Sequence, residues 1–348
     1  MESVAGLDVG VKQSTLCVVA RGERSMRVVS RQRTATRPVS IGDWLRSQSI
    51  HRVGLEAGAQ SSWLARELAG QGFQVTVMET RRQRAFGSYS KVKTDERDAR
   101  LIGEALASGL HTKVHVRSAW SQEVRALLGA RLQLKRQAHQ CRQFVRGHLR
   151  AVGIEVPRGT GRNWLKQAQV VTADRGGLLG QALQAMLRTV EALHEQIGGL
   201  DKQLRQLARQ DEACRRMMTA PGAGVLTSLA LRASLDDADR FPHSAEVGPY
   251  LGLTPSRHQS GALDRRGSIT KQGDGLVRAY LYEAAVSLLE RQKRDCPLRR
   301  WGLANQERLG KRRTRVAVAR KLAVLMHRLW QSGQVFDWNR GQEAPTKR

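Results

Sequence analysis

The stretch Val4–Ala20, VAGLDVGVKQSTLCVVA, contains a single acid. Asp8 closes an apolar run between Gly6 and Gly10, and a second apolar run, STLCVVA, follows at once. Two short apolar runs joined by a glycine-containing turn read as paired strands. An aspartate so placed serves two chemistries. It holds a divalent metal ion that promotes cleavage of a phosphodiester, or it sits beside a strand and turn that cradle the phosphates of ATP. Taken alone, GLDVGVKQST fits both.

Working outward, SMRVVSRQR alternates, HRVGLEA is a further apolar run, and GFQVTVME is a fifth. Between the last two, SSWLARELAGQG carries Trp63, Leu64 and Leu68 at helical spacing after a serine cap. Three hairpin-like strands followed by strand, helix and strand give an α/β order. From Thr94 the pattern turns helical, beginning with TDERDARLIGEALASG. A long helix is expected over residues 120–152, with Leu127, Arg131, Leu134, Ala138, Cys141, Val145, His148 and Val152 inward. After a Pro/Gly linker at residues 157–164, Leu183, Met186, Val190, Leu193, Ile197, Leu200, Leu204 and Leu207 step by threes and fours, a coiled-coil spacing. The two helices would pair as an antiparallel hairpin, zip to another copy, or form an ordinary bundle.

The last region opens with MTAPGAGVLTSLALRASL. Its Pro-Gly-x-Gly turn before an apolar helix has the shape of a helix-hairpin-helix element, whose backbone amides accept a phosphate; plain helix connections share that shape. A basic, loop-like YLGLTPSRHQSGALDRRGSITKQGDG follows, then helices near residues 276–292 and 315–331. The expected organisation is a catalytic α/β domain over 1–112, a helical coiled-coil domain over 113–212, a mostly helical domain over 213–335, and a polar tail over 336–348.

The 348 residues carry 59 Lys and Arg against 31 Asp and Glu, a formal net charge of +28. The cations run along the whole length, so a polyanionic partner is expected, nucleic acid first. No apolar run approaches the ~20 residues of a spanning helix and no signal peptide opens the chain, which points to a cytoplasmic protein without a membrane partner. The four cysteines, Cys17, Cys141, Cys214 and Cys296, form no CxxC pair and read as reduced thiols rather than a zinc site.

Glu56, in RVGLEAG, repeats the placement of Asp8 at the end of a strand before glycine, where α/β folds put their sites. Asp95 and Asp98, in KTDERDA, stand three apart at a helix start and share a face. Four carboxylates are the hard oxygen ligands that Mg²⁺ prefers, and two such ions hold both the attacking and leaving oxygens of a phosphodiester. Singly, each acid is also a turn former, a helix cap or a complement to a helix dipole. Their joint order favours the metal reading. No second Asp-x-Gly strand motif and no Gly-rich adenosine segment follow, which weakens the ATP reading. In the basic loop, Ser260 precedes Gly261 among Arg257, His258, Arg265, Arg266 and Lys271, cations that would neutralise a phosphate while the hydroxyl attacks. Ser256 and Ser268 are equal candidates on chemistry.

Together, GLDVGVKQSTLCVV, VGLEAGAQSSWLARELAGQGFQV, KVKTDERDARLIGEAL, APGAGVLTSLAL and the SRHQSGALDRRGSITKQGDG region resemble the DEDD transposases of the insertion sequence 110 family, relatives of the Piv-type invertases. The resemblance runs over nearly the whole chain in order. It implies a RuvC-like, ribonuclease-H-like amino-terminal domain, a coiled-coil middle and a carboxyl-terminal transposase domain. It implies a DNA recombinase guided by a structured bridge RNA that pairs with target and donor DNA. Residue by residue, Asp8, Glu56, Asp95 and Asp98 match the tetrad that binds Mg²⁺ (or Mn²⁺), and Ser260 matches the nucleophile that links covalently to DNA. It further implies a composite site, with acids and serine from different subunits of a dimer that assembles to a tetramer. Two segments depart from the family's pattern, the basic ETRRQRAFGSYSKVK after Glu56 and the Arg-rich tail. The alternatives are a RuvC-like junction nuclease without a covalent step, an invertase acting without RNA, and a non-catalytic nucleic-acid-binding protein.

Overall fold

A computed structural model describes residues 3–22, 25–79, 94–155, 159–260 and 263–338. The basic stretch at residues 80–93, residues 156–158 at the start of the linker, residues 261–262 and the last ten residues of the tail lie outside these. The chain divides into two compact units between Ala119 and Trp120.

The first unit runs β1 (Ser3–Val9), β2 (Gln13–Arg21), β3 (Met26–Ala35), α1 (Pro38–Ser47), β4 (Arg52–Glu56), α2 (Ser61–Gly70), β5 (Gln74–Met78) and α3 (Asp95–Ser108). The strands form one sheet in the order β3-β2-β1-β4-β5. β1, β2 and β3 are antiparallel neighbours, whereas β4 and β5 run parallel to β1. Three antiparallel strands followed by parallel ones agree with the α/β order expected from the sequence. Helix α1 was not placed from the pattern; Pro38 starts it, and its Ile41 and Leu45 are fully buried.

Strand alternation divides the sheet into two faces. Ala5, Leu7, Leu16, Val18, Val53, Leu55 and Val77 join Ile41, Leu45, Leu64 and Leu68 in one core under α1 and α2. The opposite face carries Val4, Gly6, Cys17, Val19, Gly54 and Met78, and α3 covers it. The crossing is close enough to require glycine. A Cβ on Gly6 would lie 2.0 Å from the Ala99 carbonyl oxygen and 2.3 Å from the Gly103 nitrogen. Val4 packs with Ile102 and Leu106, and Gly6 meets Ala99 and Gly103. Moving along β1 toward its carboxyl end therefore moves toward the start of α3, so the helix runs antiparallel to the strand. Thr94 caps that start by accepting the Arg97 N–H at 3.3 Å, and Asp95, Glu96 and Asp98 occupy the first turn, where the helix dipole favours acids.

The second unit contains α4 (Ala119–Ala151), α5 (Arg162–Thr172), α6 (Gly177–Gln210), α7 (Glu212–Met217), α8 (Val225–Leu235), α9 (Val247–Tyr250), β6 (Pro255–Ser260), β7 (Leu263–Ile269), α10 (Gly275–Val286), α11 (Pro297–Ala304), α12 (Gln306–Leu309) and α13 (Lys311–Ser332). Helices α4 and α6 are antiparallel partners: Arg131 binds Asp201 at 2.5 Å, Arg142 approaches His194 at 3.5 Å, and Val145 and Leu149 pack with Leu183, Leu187 and Val190. On α4 the buried phase is Val124, Leu128, Arg131, Ala138, Arg142, Val145 and Leu149, while His148 and Val152 are exposed. Adjacent Leu127 and Leu128 leave two phases open in the sequence, and packing selects the second. On α6 burial is concentrated at Leu183, Leu187 and Val190 and again at Leu204 and Ala208, with Leu193, Ile197 and Leu200 half-buried between.

Helices α7, α8, α10 and α13 enclose the larger core. The Pro221–Gly222 turn docks on α10: Gly222 has φ +79°, and a Cβ there would lie 2.4 Å from the Ala284 carbonyl oxygen. The 255–269 region is a correction to the sequence reading. It forms an antiparallel two-stranded hairpin rather than a loop. Both its faces are largely polar, so the strand period left no hydrophobic alternation to detect. Among the described residues no helix is long and apolar enough to cross a membrane.

Candidate active site

β1 and β4 pair through Ala5 with Val53, Gly6 with Gly54, and Leu7 with Leu55. Asp8 and Glu56 come next on their strands, at the carboxyl ends of parallel neighbours about 4.8 Å apart. Two residues beyond Gly6 and Gly54, both acids belong to the face that α3 covers. Asp95 and Asp98 each precede a sheet-facing residue, Ala99 and Ile102, by four positions, so they lie on the same side of α3 one turn earlier. Because α3 is antiparallel to β1, that turn stands over the carboxyl end of the sheet. Four carboxylates thus occupy one edge and one face of the first unit.

Asp8, Glu56 and Asp98 are half-buried, while the Asp95 side chain is 64% exposed. Arg33 approaches Asp95 at 3.9 Å and Arg31 holds Glu96 at 3.2 Å. Such exposed pairs contribute ~0–1 kcal/mol each and leave the acids able to rearrange. The donor set, all carboxylate oxygen with no thiol, fits a hard divalent cation. Among the described residues no three His, Cys, Asp or Glu side chains stand close enough to grip an ion as they are. Both glycines around Asp8 have structural duties. Gly6 admits α3, and Gly10 makes the β1–β2 turn, where a Cβ would lie 2.3 Å from the Gln13 carbonyl oxygen. These two glycines therefore need no bound phosphate to explain them.

In the second unit Ser260 is the last residue of β6, at the exposed tip of the hairpin. It pairs with Leu263, His258 with Arg265, and Gln259 with Asp264. Alternation puts Ser260, His258 and Arg265 on one face, and these residues line a shallow depression with Gln259. Arg257 faces the other way and makes a bidentate pair with Asp264 at 2.8 and 3.0 Å. Asp264 escaped the sequence reading, since its partnership is visible only once the register is known. The Arg266 side chain lies outside the described residues. Lys271 is exposed beyond the end of β7, with φ +57° and its N–H on the Gly252 carbonyl. The three candidate serines now differ. The Ser256 hydroxyl donates to the Ser268 carbonyl at 3.1 Å and fills the space beside Gly267, whereas Ser260 stands at the tip next to His258 and Arg265.

Two family models match this chain: the IS110 DEDD transposase model over residues 5–154, and the model described as the transposase IS116/IS110/IS902 family over residues 214–297. The chain belongs to the IS110 family of DEDD transposases. It is therefore a transposase, an enzyme that cuts and rejoins DNA. Similar proteins include the transposase for insertion sequence element IS1111A of Coxiella burnetii, 28% identical over 84% of this chain and 81% of that one. The transposase for IS1328 of Yersinia enterocolitica is 26% identical over 82% of this chain and 85% of its own length. Among solved structures, Thermus thermophilus RuvC matches at 14% identity with a TM-score of 0.27, covering 32% of this chain and 99% of that one.

Proposed function

We propose that this transposase exchanges donor and target DNA strands under the direction of a structured guide RNA, with Asp8, Glu56, Asp95 and Asp98 as ligands for Mg²⁺ (or Mn²⁺) and Ser260 as nucleophile. The observation that supports this reading is the placement of Asp8 and Glu56 at adjacent strand ends, on the sheet face that α3 covers, with the acidic first turn of α3 toward the same end. A divalent ion held there would neutralise charge on the scissile phosphate and activate an attacking oxygen. The protein's own residues divide the remaining work. Arg265, opposite His258, offers a guanidinium to the phosphate oxygens, and His258 is on the serine's face to take its proton.

The serine step is a transesterification. The Ser260 Oγ–P bond forms, the bond from phosphorus to one sugar oxygen breaks, and that strand end leaves as a hydroxyl carrying a proton. Attack by the hydroxyl of the other DNA reverses the step and frees the serine. One phosphodiester is exchanged for another, so no external energy source is needed. The acids and the serine belong to different units of the chain, which accords with a homodimer, and a tetramer of two such dimers, sharing sites between subunits. The net charge of +28 supports an RNA partner in addition to DNA.

The test is Ser260→Ala beside Asp8→Asn. Ser260→Ala is expected to retain DNA and RNA binding while losing both the denaturation-resistant DNA adduct and strand exchange; Asp8→Asn is expected to lose Mg²⁺ binding by calorimetry. Strand exchange at the normal rate by Ser260→Ala removes the serine from the mechanism. Cleavage without any adduct leaves a two-metal nuclease. A discrete RNA copurifying with the protein is expected, and full activity after its removal refutes guidance.

A further inference from the structure

The long helix α4 presents an exposed surface that the strand-cutting chemistry does not use. Phe144 and His148, one turn apart, stack on one another with ring centroids 4.1 Å apart and planes 27° from parallel. Phe144 is 38% exposed, and the His148 Nδ1–H donates to the Phe144 carbonyl at 3.0 Å, which fixes the ring's tilt. Phe144 is not among the residues packed into the core that the opposite face of α4 builds with α5 and α6. One and two turns before Phe144 the solvent face carries Gln140 and Arg136, and Glu123 is the only acid in the 33-residue helix. Gly147 sits beside the rings with open space around its missing side chain. A mid-helix glycine costs about 0.5–1 kcal/mol against alanine, and here it leaves the backbone approachable beside the ring pair.

We infer that this face of α4 binds a single-stranded segment of DNA, one unpaired base continuing the Phe144–His148 stack and a neighbouring phosphate meeting Arg136. Duplex DNA hides the faces of its bases, so a stacking platform with a cation along the same helix face selects an unpaired strand. The assignment to DNA rests on the proposed strand exchange, since cutting and exchanging strands is what exposes unpaired bases beside the protein. None of Phe144, His148 and Arg136 is among the residues proposed for the chemistry, so the surface contributes binding.

The full-length protein, freed of nucleic acid, is titrated by fluorescence anisotropy into an oligothymidylate of about 20 nucleotides, the matching duplex and the corresponding oligouridylate. Phe144→Leu with His148→Leu keeps apolar bulk and helix propensity but removes the ring faces. It is expected to weaken oligothymidylate binding about five- to a hundredfold with duplex binding unchanged. Arg136→Gln is expected to lower the magnitude of the log–log salt slope by about 0.7. Unchanged oligothymidylate affinity in the double variant overturns the inference, as does an equal loss on duplex or a loss confined to the RNA. Thermal melting at the wild-type temperature verifies that the variants are folded. Ser260→Ala, run alongside, is expected to bind the oligonucleotide like the parent. Failure of the α4 surface therefore shows as intact single-strand binding in the double variant, whereas failure of the serine mechanism shows as intact strand exchange in Ser260→Ala.

Discussion

Gly6→Ala is the most exacting perturbation of the first unit, because two backbone groups of α3 occupy the place of the new methyl. The Ala99 carbonyl oxygen is 2.0 Å and the Gly103 nitrogen 2.3 Å from that position, against a floor of about 3.0 Å for real Cβ contacts. Neither atom can rotate away, so α3 must retreat by about 1 Å. Overpacking of this kind costs typically 1–3 kcal/mol, and with backbone on both sides we expect about 3 kcal/mol. In a unit of roughly this size that lowers the melting temperature by about 10 °C. The same retreat carries Asp95 and Asp98 away from Asp8 and Glu56, and a displacement of about 1 Å in a catalytic group costs on the order of 100-fold in rate. Gly54→Ala is the control on the neighbouring strand. Its methyl would meet the Met78 Cε at 2.5 Å, the free end of a flexible side chain, and is expected to cost about 1 kcal/mol or less. Thermal denaturation by circular dichroism and Mg²⁺-dependent cleavage, assayed well below either melting point, read the two effects. If the two variants melt together and cleave alike, α3 does not rest on Gly6, and the argument that brings the four acids to one edge fails with it.

Two further measurements bear on the second unit. Asp274 accepts the Leu276 and Val277 N–H groups at the start of α10 and pairs with Arg125 of α4. Burial alone would raise its pKa, but the Arg125 hydrogen bond and charge, with the two amides, hold the carboxyl below its ordinary value. A depressed folded pKa means that the unfolded chain takes up the proton first, so this stabilisation is complete above about pH 4 and fades as pH falls through the folded value. Asp274→Asn, which retains a capping oxygen, is expected to cost about 2 kcal/mol in urea unfolding at pH 7 and progressively less below pH 4; an equal cost at both ends contradicts the pairing. The Cys214 thiol is driven far up by burial and by Asp211, and burial also raises Cys17. Cys296 is buried as well and Cys141 only half-buried, so a thiol-reactive disulfide should label Cys141 first under native conditions, and comparable labelling of Cys214 on peptide mapping contradicts the packed core.

The acidic edge proposed as the catalytic site was legible because strand ends announce themselves locally. Asp8 and Glu56 each follow an apolar run and precede a glycine, and Thr94 three residues before Arg97 marks the helix that bears Asp95 and Asp98. What the pattern withheld was long-range. Nothing local to Gly6 says that its missing side chain makes room for Ala99, ninety-three positions on, or that Arg257 will find Asp264 across a hairpin with no apolar face to betray it. The Leu127–Leu128 pair shows the same limit on a helix, where either phase satisfies the hydrophobic count and only the partner decides.

The two roles of glycine near Asp8 show why a motif of this sort misleads when read alone. In a phosphate cradle, glycines bring backbone amides to a ligand; here Gly6 brings a helix to a strand, and Gly10 folds the hairpin back. Both uses demand the absence of a side chain, so composition cannot separate them. The separation comes from parity. Gly6 and Asp8 lie two apart on one strand, and the face on which the glycine admits α3 is therefore the face on which the aspartate meets that helix's acidic first turn. The residue that permits the packing and the residue that joins the carboxylates are coupled by strand geometry, so moving α3 off Gly6 moves its acids off Asp8.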